Sequence, residues 1–210
     1  LAARAVVLGD LGRAAEAVPL LEEYAAIAAA EGDLRGFVEN TINLSSMLMG
    51  LRQLERAVAL LRSGAPAVAA LADPQLALAF DTNLQLALGE HALALLAGGR
   101  LDEAWALMDE QESICRRIGH DVGLAAAVGN KAIVVRHRGD IAGALALVDE
   151  QLAIASRSGD AQGMLFATAN RGELLGLLGR IPEALAALRS ARALAAPSPP
   201  MVAQLDQMIS

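Results

Sequence analysis

Small and large apolar residues return along this chain as pairs four positions apart: Ala17 with Leu21, Ala57 with Leu61, Ala104 with Met108, Ala144 with Val148 and Ala184 with Leu188. Residues four apart stack on one face of a helix. The alanines follow one another at steps of 40, 47, 40 and 40 residues. Five positions before them stand Gly12, Gly99, Gly139 and Gly179, with Arg52 in the same place once. A second marker, Asn43, Asn83, Asn130 and Asn170, keeps the steps 40, 47 and 40. A third, Gly36, Gly123 and Gly163, precedes its asparagine by seven residues each time. Three markers in one phase identify an internal repeat. The seven surplus residues of the third unit fall between Asn83 and Gly99. They amount to about two helical turns, which lengthens a helix and keeps its apolar face in register.

Each unit reads as two helices. First helices are expected near 33–51, 75–98, 121–138 and 161–178, and second helices near 13–31, 53–72, 101–118, 141–158 and 181–195. Asp33, Asp73 and Asp160 stand at matching starts, where a carboxylate accepts from unpaired backbone N–H groups and complements the helix dipole. Pro74 adds a proline at the first helical position. The fourth start carries His120, and Asp121 is expected to take over the cap there. The glycine ahead of each second helix ends the first one. Pro19 and Pro66 fall inside second helices; each removes a hydrogen bond, so kinks or a break are expected, foremost at 63–66. Residues 1–8 read as the tail of a truncated first helix, and 201–209 as a closing helix after APSPP. The organisation is then one repeat array over 1–196, followed by a Pro-rich turn and a short capping helix over 197–210.

Composition makes the class all-α. The 210 residues are 55% hydrophobic and only 2% aromatic. Alanine and leucine, the best helix formers, dominate, and the residues that favour strands are scarce. A core of alanine requires closely approaching helices, because alanine adds little volume. The net charge of −7 and pI near 5.0 oppose the phosphate neutralisation that nucleic-acid binding needs. Charges and glycines break every apolar run before the roughly 18 residues a membrane helix takes, so no membrane association is expected. Cys115 is the single cysteine. It cannot form an internal disulfide, and no Cys/His pair has zinc spacing. A reducing, cytoplasmic setting follows as the expectation, with no metal and no cofactor. The opening LAARAVVLGDLGR has no basic lead, cleavage site or initiator Met, so the chain is expected to be a piece of a longer protein.

Helix pairs with a glycine closing the first helix and small residues at the crossing resemble the tetratricopeptide repeat family. The crossing residues are Ala5, Ser45, Ala132 and Gly172, facing Ala17, Ala57, Ala144 and Ala184. The 40-residue unit is similar to the longer-helix variety found in large bacterial signalling proteins, notably over Asp109 to Leu147. The resemblance implies a right-handed α-solenoid of stacked antiparallel helix pairs, a superhelix with a concave inner surface. It also implies a protein or peptide partner, or another domain of the same chain. A helix pair of this length cannot bury its apolar face alone, which agrees with stacking. The chain departs from the family in its longer third unit, its internal prolines and its lack of aromatic residues.

In the resemblance, the asparagine place faces the groove, and Asn43, Asn83, Asn130 and Asn170 would hold a ligand's main chain. A primary amide donates and accepts at once, as a peptide backbone does. The other reading is an internal ladder, each asparagine bonding a neighbouring helix and fixing the stacking angle. The family's carboxylate-clamping basic residues are not matched, since Glu39, Ala126 and Phe166 stand one turn before Asn43, Asn130 and Asn170. Arg136 and Lys131 are candidates to meet an acidic partner, or else belong to a solvated helix face. The adjacent acids Glu22–Glu23, Asp109–Glu110 and Asp149–Glu150 point roughly 100° apart on a helix, so they do not converge for acid–base chemistry and read as an outer face. Cys115 reads as a buried structural cysteine, and His91, His120 and His137 have no ligand partner at a recognisable spacing. No catalytic residue is assigned. The expected function is a non-enzymatic peptide- or protein-binding scaffold. The alternative is a C-terminal sensor or autoinhibitory region of a larger bacterial regulator with a nucleotide-switching, transcriptional or protease-like domain. Exposed Val6, Val7 and Leu8 at a cut array end would favour self-association.

Overall fold

A computed structural model describes residues 1–195 and 199–209 of the chain. The first members of the helix pairs are α1 (Ala2–Asp10), α3 (Leu34–Gly50), α5 (Pro74–Ala97), α7 (Asp121–His137) and α9 (Ala161–Leu177). The second members are α2 (Ala14–Glu31), α4 (Leu54–Leu71), α6 (Leu101–Ile118), α8 (Ile141–Ser158) and α10 (Ile181–Leu194), and α11 (Pro199–Ile209) follows them. No strand occurs among the described residues, and the fold is all-α. The third unit's seven surplus residues lie inside one continuous helix, since α5 has 24 residues against 17 in α3, α7 and α9. The Pro-rich turn expected after residue 196 falls at 196–198, outside the described residues.

The helices group into two units, Leu1–Ala97 and Gly98–Ser210. In each unit every helix packs on the next in the chain, and neighbouring first helices also touch, α3 with α5 and α7 with α9. The small residues at the crossings are buried: Ala5, Ala17, Ser45, Ala57 and Ala144 have no accessible surface. Their large partners Leu21, Leu61, Met108, Val148 and Leu188 are buried with them. At the last crossing the approach is closest, and a Cβ on Gly172 would stand 2.7 Å from Leu188 Cγ and 3.3 Å from the Ala184 carbonyl oxygen. Val6 and Val7 are exposed as expected at the array end, but Leu8 is buried, because it lies on the side of α1 that packs on α2.

Caps explain the third sequence marker. Asp33 accepts from Gly36 N at 2.9 Å and Asp160 from Gly163 N at 2.9 Å. A Cβ on either glycine would run into the capping carboxylate, so the glycine leaves room for the cap. Asp73 accepts from Gln75 N and Leu76 N at 3.0 and 3.2 Å. At the fourth start the expectation fails in one respect. His120 itself caps, its Nδ1 accepting from Gly123 N at 3.1 Å, while Asp121 lies inside the helix, 3.7 Å from Arg157.

Second helices start differently. Arg13 with Glu16, Arg100 with Glu103 and Arg180 with Glu183 each pair an N-cap arginine with a glutamate three residues on, through two hydrogen bonds of 2.6–2.8 Å. The arginine lowers the pKa of Glu16 and of Glu183, chiefly through these bonds. Where the pattern is lost at α8, Asp140 replaces the arginine and caps Gly143 N at 2.7 Å.

The turns after α1 to α9 each place one residue in the left-handed region. Glycine supplies most of them, but Arg52 (φ 59°) and Ala72 (φ 49°) stand in the same places at either end of α4. A side chain there costs about 1 kcal/mol relative to glycine. Arg52→Gly and Ala72→Gly are each expected to raise stability by roughly that amount, read as a higher urea midpoint at unchanged slope. The Arg52 side chain adds only an exposed ion pair to Glu90, so little is lost with it.

The expected break at 63–66 is not found. Helix α4 runs through Pro66, and α2 through Pro19. Both prolines lie on the solvent side, as do Ala15 and Arg62 four residues earlier. The carbonyls that lose an N–H partner are therefore those that water can reach, and the helix continues.

Arginines join successive helices at nearly constant separation. Arg56 bonds Glu22 at 2.7 Å, and Arg116 bonds Glu150 at 3.1 Å, each across 34 residues. Arg136 bonds Glu173 at 2.7 Å across 37 residues, and Arg35 and Arg52 reach Asp73 and Glu90 across 38. Arg35 holds the Asp73 carboxyl below its usual range, with help from the Leu76 N–H. Exposed pairs of this kind add little stability.

Candidate binding face

The asparagine row divides by what each amide touches. Asn83 on α5 is engaged: its Nδ2 donates to the Ala79 carbonyl at 2.9 Å, and its Oδ1 accepts from Ser46 Oγ of α3 at 3.1 Å. This is the internal-ladder arrangement. Asn43 on α3 is exposed, while Asn130 on α7 and Asn170 on α9 are half-buried. Their amides make no hydrogen bond to protein among the described residues.

Open clefts adjoin two of these side chains, one in each unit. In the first unit, a cleft of about 360 Å³ is lined by Val6, Gly9, Asp10, Asn43, Ser46 and Met47. In the second, a cleft of about 90 Å³ lies between Ala132, Ile133 and Arg136 of α7, Val148 of α8, and Asn170 and Glu173 of α9. Its floor is apolar, and its rim carries one amide, one guanidinium and one carboxylate. The Arg136 guanidinium is bonded to Glu173, so it stands at the rim as half of an ion pair.

Lys131 lies elsewhere. Expected on a solvated or ligand-facing surface, it is 6% exposed. Its ammonium pairs with Asp109 and Glu112 of α6 and sits 5.0 Å from the centre of the Trp105 ring. One position beyond Asn130, its side chain turns away from the asparagine face toward α6. Arg138 approaches the same ring at 5.3 Å and bonds Asp102 at 2.5 Å.

The acid pairs serve packing. Glu22, Asp109, Asp149 and Glu150 meet Arg56, Lys131, Arg171 and Arg116 respectively. Cys115 is fully buried, and burial pushes its thiol up to about 11, a value at which it is protonated and inert near neutral pH. No group of three or more His, Cys, Asp or Glu residues among the described residues is placed to hold a metal ion. No helix among them is long and apolar enough to cross a membrane.

Other polar positions carry no repeat marker and escaped the sequence reading. Buried Asn40 donates to the Leu21 carbonyl at 2.8 Å and ties α3 to α2. Gln111 and Gln151 are buried 40 residues apart, and Gly129 leaves the space that the Gln151 amide fills. Glu173 and Ser46 both stand three residues after a row asparagine, a phase that the asparagines themselves could have disclosed.

No protein-family model matches the chain, and no curated protein matches it in sequence. Its likeness is to solved structures. A kinesin light chain protein of Podosopora anserina with nearly identical TPR-like repeats is 21% identical, with a TM-score of 0.59 over 93% of each chain. Aspartyl phosphate phosphatase F from Bacillus subtilis is 12% identical, with a TM-score of 0.68 over 97% of this chain and 52% of that one. A signal transduction ATPase with numerous domains and a tetratricopeptide repeat sensor, from Pyrococcus horikoshii, is 17% identical, with a TM-score of 0.60 over 92% of this chain and 28% of that one. The likeness is one of fold: the chain is a tetratricopeptide-like solenoid of stacked helix pairs.

Proposed function

We propose that the chain is a non-enzymatic module that binds a peptide or protein segment through its first helices. Asn43 marks the surface in the first unit, and Asn130, Asn170 and Arg136 mark it in the second. One observation carries this reading. Asn130 and Asn170 are half-buried amides with no protein partner among the described residues, and Asn170 lines an apolar cleft. A donor and an acceptor held together in that setting match a peptide main chain, and the cleft suits one small aliphatic side chain. Asn83, bonded to Ser46, is outside the binding surface. The acidic residues already engaged with arginines support a scaffold over a catalyst, and the acidic composition supports a protein partner over nucleic acid.

The test is a peptide-array screen, followed by titration of the best binder. Replacing Asn43, Asn130 and Asn170 together with alanine is expected to weaken binding at least tenfold, with Asn83→Ala unchanged. Binding that survives the triple replacement would remove the first-helix face from consideration.

A second reading makes the chain a sensor or autoinhibitory region of a larger bacterial regulator. It is favoured by the likeness to the Pyrococcus horikoshii signal transduction ATPase with a tetratricopeptide repeat sensor, 28% of whose chain the match covers. A reading frame that joins this array to a nucleotide-switching, transcriptional or protease-like domain would support it; a short stand-alone gene would count against it.

A further inference from the structure

Helix α11 follows the last helix pair among the described residues, and its packing displays the surface that α9 and α10 offer. Leu205 is 3% exposed and enters a cluster with Leu188, Ala191 and Ala195. Val202 and Ile209 pack at its edges, together with Leu165 and Ala169 of α9. Residues 202, 205 and 209 follow helical spacing, so α11 docks by one apolar stripe. Beside Leu205, Asp206 pairs with Arg192 of α10, whose Nε donates to Oδ1 and whose Nη2 lies 3.4 Å from Oδ2. The surface is a groove with an apolar floor and a guanidinium at its rim.

The fit leaves room. A cleft of about 150 Å³ between α9 and α11 is lined by Leu165, Phe166 and Ala169 on one side and Leu205 and Met208 on the other. Phe166 stays 43% exposed and Met208 38%. With 11 residues, α11 is also shorter than the roughly 12–15 that hold a helix alone in water, so its helix forms with its docking.

We propose that the α9–α10 groove is a second interaction surface, which takes an amphipathic helix of a partner protein in the place of α11, with α11 as its competitor in cis. The partner helix carries apolar residues at i, i+3 and i+7 and a carboxylate at i+4, as Val202, Leu205, Ile209 and Asp206 do. A bulkier side chain at i+6, the place of Met208, fills the cleft that α11 leaves open. Tethering gives α11 a local concentration on the order of millimolar, so a partner enters by fitting better. The inference rests on the packing of α11 and not on the asparagine face, although Asn170 and Glu173 border both clefts.

A fluorescent peptide of residues 199–209, lactam-bridged between positions 203 and 207 to hold it helical, is titrated by anisotropy into the full chain. It is also titrated into the full chain carrying Leu205→Asp, which undocks α11. The variant is expected to bind the peptide at least tenfold more tightly than the unaltered chain. A peptide carrying Asp206→Arg is expected to bind at least tenfold more weakly, and to recover when the variant also carries Arg192→Asp. Circular dichroism checks that the remaining helices persist. Should Leu205→Asp fail to fold, Asp206→Arg in the chain replaces it, with an expected gain of at least threefold. Equal binding to chain and variant, binding to neither, or a charge-reversed peptide as good as the original would overturn the proposal. So would a concentration-dependent dimer of the unaltered chain that the peptide does not dissociate, which would mean that α11 exchanges between copies. Alanine at Asn43 and Asn130, neither of which lines this cleft, leaves all of these outcomes unchanged, which separates this failure from that of the asparagine face.

Discussion

Lys131→Ala is expected to lower folding stability by about 3 kcal/mol, the low end of the cost of breaking a buried ion pair. The ammonium is buried on the α7 side of its contact with α6, where Glu112 is only 14% exposed. Truncation leaves that carboxylate short of its buried cation and opens a void against Trp105. The loss stays at the low end because Arg116 also pairs with Glu112. Asp109→Ala is expected to cost under about 1 kcal/mol, because the Asp109 side chain is 59% exposed. Lys131→Met with Glu112→Gln removes both charges and keeps the volume, so most of the loss should return. Urea unfolding followed by circular dichroism measures all three. A Lys131→Ala midpoint no different from that of Asp109→Ala would show that the buried pair contributes nothing specific.

Gly172→Val is expected to cost about 3 kcal/mol, at the upper end of what overpacking does in a close-packed core. Alanine favours a helix over glycine by roughly 0.5–1 kcal/mol, so on propensity alone added atoms at position 172 would help. Space decides otherwise. The first added carbon already stands 2.7 Å from Leu188 Cγ, with the Ala184 carbonyl behind it. Backbone cannot yield as a side-chain tip can, so the helices must part. Leu188→Ala alone leaves a cavity, but combined with Gly172→Val it supplies the missing room. The double variant should then be more stable than the sum of the singles by about 1–2 kcal/mol. Additivity in the same urea series would mean that the two residues do not meet.

Helix positions were readable because their causes are local. A capping aspartate, a turn glycine and an alanine five residues later each act within one or two turns of chain, and every helix appears within two residues of its expected bounds. What neighbouring helices decide was not readable. Lys131 looks like a surface residue until α6 brings Glu112 and Trp105 to it. Pro66 looks like a break until its side of α4 proves to face water. The phase of the asparagine row was legible, but bonds to Ser46 and to the Ala79 carbonyl distinguish Asn83 from the others, and only packing of α3 on α5 brings the Ser46 hydroxyl near. His120 shows the reverse case, a ring nitrogen taking a carboxylate's place at a position that could be located but not assigned.

The arginine bonds that reach from one helix pair to the next at 34 to 38 residues have a consequence for how such a chain can change length. The guanidiniums occupy different phases of the repeat, Arg56 reaching back to Glu22 and Arg116 forward to Glu150. Loss of one whole module therefore strands a charge at the seam: without the unit that holds Glu150, Arg116 would meet Ser190, the equivalent position 40 residues on.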